Sequence, residues 1–451
     1  MKNCLYSMAM LAALLVGPAA AQPPAADHLP SAALQVGPVA APQGDVTKAV
    51  DSVLSNDRFK KAIVHVSSEY ERIVGEIVKL TEIPAPPFQE AERAQAFLGM
   101  LQESGIKDAV IDEEGNVIGL RKGSGSGPLL VISSHLDTVF PEGTNVKVRR
   151  EGTRLYAPGV GDASRYLAVL LAMVRALDAA EIRTASDILF VATVGEEGPG
   201  DLRGVKHLFT KGGYKDKIKT FISLDVLSTE GNDDNKINNG ALGSKRYRVT
   251  FKGPGGHSYQ AFGLVNPAFA MGNAIQKFSA IKVPADPKTT FNVGVVGGGT
   301  SVNSIPYEMW MDVDMRSVSP ENLNALVEEF KAAMHQAVEE ENTRRSTKEG
   351  PISVDLKLIG DRPSGITPVD HPLVQIASAV MKKNGLTPIY VTTSTDANIP
   401  ISLGIPAITI AAGGNGSAYH SLKEWTDVDK SPSVKGIETA LVVLLAAAGI
   451  Q

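Results

Sequence analysis

Three short apolar runs, each ending abruptly in charge, constrain this chain more than any other feature. Residues 129–134 (LLVISS) lead into His135 and Asp137. Residues 187–194 (DILFVATV) lead into Gly195-Glu196-Glu197, and residues 220–224 (TFISL) into Asp225. Runs of this length and composition read as strands covered on both faces. A fourth, Ala407–Ile410 (AITI), precedes a Gly-rich loop and His420. Helical patterns lie before and between them, at residues 59–80, 90–104 and 166–180. Strands alternating with helices predict an α/β fold with a parallel sheet. In such a fold, polar residues just beyond strand C-termini lie where ligands bind.

The middle of the chain has another rhythm. Residues 246–252 (RYRVTFK), 290–296, 308–316 and 352–359 alternate like strands. Residues 266–280 and 320–345 are helical, the second opened by Pro320. The order β-α-β-β-α-β predicts a ferredoxin-like α+β unit inserted into the first domain. The expected division is 59–243 and 363–451 for one catalytic domain, with 244–362 as the insert.

The start of the chain is different again. Lys2, the short apolar stretch 8–16 and Ala19-Ala20-Ala21 form a signal-peptide pattern over 1–21. The expectation is an exported protein, periplasmic or secreted. The apolar stretch is shorter than the roughly 20 residues of an ordinary membrane span. Residues 22–58 begin rich in Pro and Ala and are expected to form a flexible linker. The only cysteine is Cys4, so a processed chain would hold any metal through His, Asp or Glu alone. The net charge of −5 offers no basic field for nucleic acid.

Singly, the charged residues have simple uses. His135-Leu136-Asp137 could be a turn, although an Asp two residues after a His can also fix its tautomer. Asp162, in Gly159-Val160-Gly161-Asp162, could cap the helix that follows. Glu196 and Glu197 could face solvent. As a set, two His and three carboxylates at strand ends fit a co-catalytic site for Zn, Co or Mn. Of the adjacent Glu196 and Glu197, one could ligate a cation while its neighbour serves as general base.

The stretches SSHLDTVFP, APGVGDASR, TVGEEGPGDLRG, ISLD, GPGGHS, TSVNSIP, MDVDMRS, STDANIP and AYHSLKEWTDV occur in that order. Together they resemble the co-catalytic metallopeptidases of peptidase family M20, the peptidase T, glutamate carboxypeptidase and aminoacylase group. The resemblance implies a mixed-parallel zinc-exopeptidase catalytic domain with an inserted dimerisation, or lid, domain. It implies two divalent ions, zinc first, with Co or Mn as alternatives. His135 and Asp225 would hold one, Glu197 and His420 the other, and Asp162 would bridge them. Glu196 would deprotonate the attacking water and Asp137 would support His135. His257 would stabilise the oxyanion, often across a homodimer interface. Asn303 and Arg316 would contact substrate, although in the sequence they read equally as a turn residue and a strand-end ion pair. The implied substrates are small peptides, with N-acyl amino acids as the alternative. A non-catalytic binding protein on the same fold would be expected to have lost ligands. Tyr166, four residues after Asp162, adds bulk near the site and leaves pocket size open.

Overall fold

The computed structural model describes residues 43–451 except Thr229 and Asn232. The expected signal peptide and most of the expected linker lie outside the described residues. The linker over 22–58 needs correction at its end. Gln43–Ser55 and Asp57–Ser68 are helices. Val46, Val50 and Val53 recur at helical spacing and are buried, which ties the first of these helices to the core. Asn56 starts the second, its side chain accepting from the backbone N–H of Arg58 at 2.9 Å.

The apolar runs form the centre of a nine-stranded sheet. Ile188–Thr193, Leu129–His135, Ile218–Leu224 and Ala407–Ile410 lie side by side and parallel. Their near-continuous burial explains the absence of alternation in their sequences. The sheet as a whole is mixed. Val117–Arg121 flanks one side antiparallel, and Lys236–Ala241 the other. Because the central strands are parallel and in register (His135 faces Thr193), their C-terminal ends form one edge. His135, Glu196, Glu197 and Asp225, which follow the apolar runs in the sequence, are delivered to that edge or to loops beside it.

Helix Arg165–Ala179 is buried along nearly its whole length behind this edge. Lys430–Ala448, the one helix among the described residues long and apolar enough to cross a membrane, instead packs with Gln43–Ser55 and Pro372–Lys383. Ile437, Leu441, Leu444 and Leu445 are buried there.

From Gly243 to Arg362 the chain builds a separate four-stranded antiparallel sheet. Its order is Thr289–Gly298, Glu308–Ser317, Gly243–Lys252, Ser353–Arg362. Helices Pro267–Ser279 and Pro320–Arg344 cover one face around a core of Phe251, Phe278, Met311 and Phe330. This is the split β-α-β order expected from the sequence. Asn266 and Ser319 cap the two helices, each followed by a Pro whose missing N–H is harmless at a helix start.

Candidate metal centre

The cluster is assembled around Asp162. Its Oδ1 lies 2.9 Å from His135 Nε2, and its Oδ2 lies 3.1 Å from His420 Nε2. Asp225 Oδ1 is 3.5 Å from His135 Nε2, and Glu197 Oε1 is 3.1 Å from His420 Nε2. Each imidazole therefore has a carboxylate of its own, and Asp162 stands between the two. The strand ends supply His135, Glu197 and Asp225. His420 comes from the loop after Ala407–Ile410, with φ at +62°, and its side chain is half-exposed.

Asp162 is not a helix cap. Helix Arg165–Ala179 begins three residues later, and both Asp162 oxygens are turned to the histidines. The turn that presents it is held by Glu424. This fully buried carboxylate accepts N–H from Gly159, Gly161 and Asp162 at 2.9–3.0 Å. Burial, with the charge of Asp162, pushes Glu424 up to about 8. Gly161 is required here, because a Cβ would meet the Tyr419 ring at 2.7 Å. Nor do Glu196 and Glu197 face solvent; they are 5% and 7% exposed.

Asp137 acts differently from the expectation. His135 Nδ1 lies 2.9 Å from the backbone carbonyl of Asp137 and 3.7 Å from its carboxylate. The carboxylate accepts the N–H groups of Glu196 at 2.9 Å and Glu197 at 2.8 Å. One residue thus orients the imidazole through its main chain and the acidic loop through its side chain.

Electrostatics set the cluster apart. Burial raises Glu196 well above the ordinary carboxyl range, although Arg362 opposes it. Burial, with the neighbouring Asp162, raises Glu197. Burial also raises Asp225, against the pull of His135. Burial works against charge on His135, but Asp225, Asp137 and Asp162 outweigh it and lift the imidazole well above its usual value. Hydrogen bonds to Asp162 and Glu197 push His420 up to about 11. Burial alone would raise Asp162, but hydrogen bonds from both histidines hold it well below the carboxylate range.

Buried carboxylates at this density are costly unless cations offset them. Ligand atoms of His135, Asp162 and Glu197 lie within 4.8 Å of one another. An oxygen and nitrogen donor set of this kind fits Zn, Co or Mn. The residues present therefore fit a divalent-metal site.

The cluster opens into a cleft of about 530 Å³, lined also by Arg246, Arg316, Arg362, Thr395 and Tyr419. Arg316 donates from Nε to Asp314 at 2.6 Å. Tyr166 is 3% exposed and is not among the cleft residues, so its bulk goes to the core. His257 and Asn303 are not brought to this cleft. They sit on the neighbouring short strands of the ladder Gly256–His257 with Ser304–Ile305, or beside them, and both are solvent-exposed. Sequence reasoning missed Arg246, Arg362 and Glu424. Only Glu424 lay in a stretch with a visible signal, AYHSLKEWTDV.

This fold and donor set define a metal-dependent hydrolase. The model of peptidase family M20/M25/M40 matches residues 131–445. The chain belongs to that family. Over 393 residues it is 26% identical to the uncharacterised protein YqjE of Bacillus subtilis, covering 83% of this chain and 97% of YqjE. It is 25% identical to the succinyl-diaminopimelate desuccinylase of Corynebacterium glutamicum over 55% of this chain and 67% of the relative. The crystal structure of aminopeptidase PepT from Bacillus cereus superposes with a TM-score of 0.65 at 22% identity, covering 84% of this chain and 99% of PepT.

Proposed function

We propose that this hydrolase is an exported exopeptidase of small peptides. The observation that carries the reading is Asp162, with one oxygen facing His135 and the other facing His420. On this reading His135 and Asp225 would hold one divalent ion and Glu197 and His420 the other, with Asp162 shared between them. Zinc is the expected metal, with Co or Mn as alternatives. When bound, the ions would polarise the scissile carbonyl and acidify the attacking water. Glu196 accepts the proton of that water and returns it to the departing amine. Asp137 keeps Glu196 and His135 in place. Arg316, whose terminal nitrogens make no described hydrogen bond, holds a substrate carboxylate; Asn303 is a further substrate contact.

His257 completes the site as oxyanion donor from a second copy of the chain. Backbone N–H groups of Tyr259 and Gln260 point to its Nδ1, which leaves Nε2 facing outward. Tyr259, Phe262 and Val302 around it are 86%, 85% and 103% exposed, an apolar patch that suits an interface. The unit 244–362 is accordingly the dimerisation and lid domain, and 59–243 with 363–451 the catalytic domain. The expected result of light scattering is a homodimer; a monomer at working concentration counts against this assignment.

A second reading, hydrolysis of N-acyl amino acids, has support from the desuccinylase relative. A panel separates the two. Free tripeptides, the same peptides with amidated C-termini, and N-acetyl amino acids are assayed with Zn, Co and Mn. We expect turnover of free peptides first, and about a 10- to 150-fold loss in kcat/KM for Arg316→Met on carboxylate-bearing substrates, the loss expected for a charged hydrogen bond. No turnover in any arm rejects both readings.

A further inference from the structure

The inserted sheet reaches into the catalytic edge, and Arg362 goes deepest into the acidic loop. Arg362 ends strand Ser353–Arg362, yet its guanidinium lies in the cleft and is only 4% exposed. Its Nη2 donates to the backbone carbonyl of Glu196. Its Nη1 lies 3.3 Å from Glu196 Oε1 and donates to Ser394 Oγ at 3.0 Å. Among the described residues its Nε has no hydrogen-bond partner, and it faces Asp201 Oδ1 at 4.0 Å. Neighbouring residues of the same sheet grip the same loop. The Asp361 N–H donates to both oxygens of Asp201 at 2.9 and 3.0 Å, and Arg246 donates to the Gly198 carbonyl at 2.9 Å.

We propose that Arg362 is a positioning residue for Glu196, so that the inserted sheet, through one guanidinium, sets where the base points. The inference rests on Glu196 being the base. A carboxylate on a loop after a strand has rotameric freedom that a base cannot use. Two donors of one planar fork, one on the main-chain oxygen and one on the side-chain oxygen of the same residue, remove that freedom. Burial of both partners makes the contact strong, because water does not compete. Asp137 fixes the loop from the other side through the Glu196 and Glu197 N–H groups. Glu196 is therefore held at its N–H, its carbonyl and its carboxylate. Lysine cannot replace the fork, since it offers a compact charge on a flexible stem.

The test is Arg362→Lys in the full chain, with kcat, KM, metal content and thermal midpoint measured beside Glu196→Gln. The expected result is a fall in kcat of about 10- to 100-fold, the scale of a misplaced catalytic group, with KM and metal content as in wild type. A kcat within twofold of wild type overturns the proposal. So does a rise in KM with kcat preserved, which would make Arg362 a substrate-binding group, or a fall that tracks lost metal. If R362K does not fold, Ser394→Ala is used. A smaller kcat loss at constant KM supports the proposal, and no change overturns it. Wild-type turnover in E196Q would remove the base assignment itself. An inactive E196Q with an unaffected R362K overturns this inference alone.

Discussion

Glu196→Gln is expected to lower kcat by about 10²- to 10⁴-fold, the usual worth of general acid–base catalysis, while the protein binds metal as wild type does. That range corresponds to about 3–5 kcal/mol of barrier. The substitution keeps the shape of the side chain and an oxygen for Arg362 Nη1, 3.3 Å away in the parent. It removes only the capacity to take a proton. The Glu196 carboxylate pairs with Arg362, whereas Glu197 faces His420, so metal content is expected to hold in this variant. Glu197→Gln is the contrasting control. Glu197 Oε1 lies 3.1 Å from His420 Nε2, so this substitution should lower metal content and activity together. Turnover assays with metal analysis on the two variants separate the roles of two adjacent glutamates. Wild-type kcat in E196Q would sink the assignment.

The site was legible where chemistry and topology coincide. Apolar strands that end in His135, Glu197 and Asp225 announce a ligand edge, because burial leaves such residues few other uses. The inserted unit was legible because its strands alternate and its helices carry caps. What stayed hidden depends on partners far away in sequence. Lys236–Ala241 (KINNGA) has no strand pattern, yet it is buried in the main sheet. Its asparagines bond to distant backbone. Asn239 donates to the Thr367 carbonyl at 2.8 Å, and Asn238 accepts the Thr393 N–H at 2.9 Å. The link from Arg362 to Glu196 spans 166 residues and leaves no local mark. The double use of Asp137 was hidden for a subtler reason. Spacing places it beside His135 but does not tell which of its oxygens faces the ring.

Stripping the protein with a chelator is expected to abolish activity, and adding back Zn, Co or Mn to restore it. Binding to the folded state alone should stabilise the protein by about 3–4 kcal/mol at metal concentrations of 100–1,000 times Kd, read as a higher thermal midpoint. The pH dependence has a definite sign. Without metal, Asp162 and Glu197 push His420 up to about 11, and the surrounding carboxylates hold His135 well above its ordinary value, so the charged imidazole is favoured at both. Metal ligation needs them neutral, so binding expels protons and affinity rises with pH. The metal-free protein runs the other way. A histidine whose folded value is raised adds stability that is complete below its unfolded value of about 6.5. That stability is lost as pH climbs towards the folded value, about 11 for His420. The two trends add, so the metal-induced rise in midpoint should be larger at pH 8 than at pH 6. Calorimetric titration in buffers of different ionisation enthalpy should register the released protons directly. Asp162→Ala removes the group that faces both imidazoles, at 2.9 and 3.1 Å. It should therefore lose the metal-dependent rise at every pH. An Asp162→Ala protein that still shows the wild-type shift would mean that the ions, if bound, are held elsewhere.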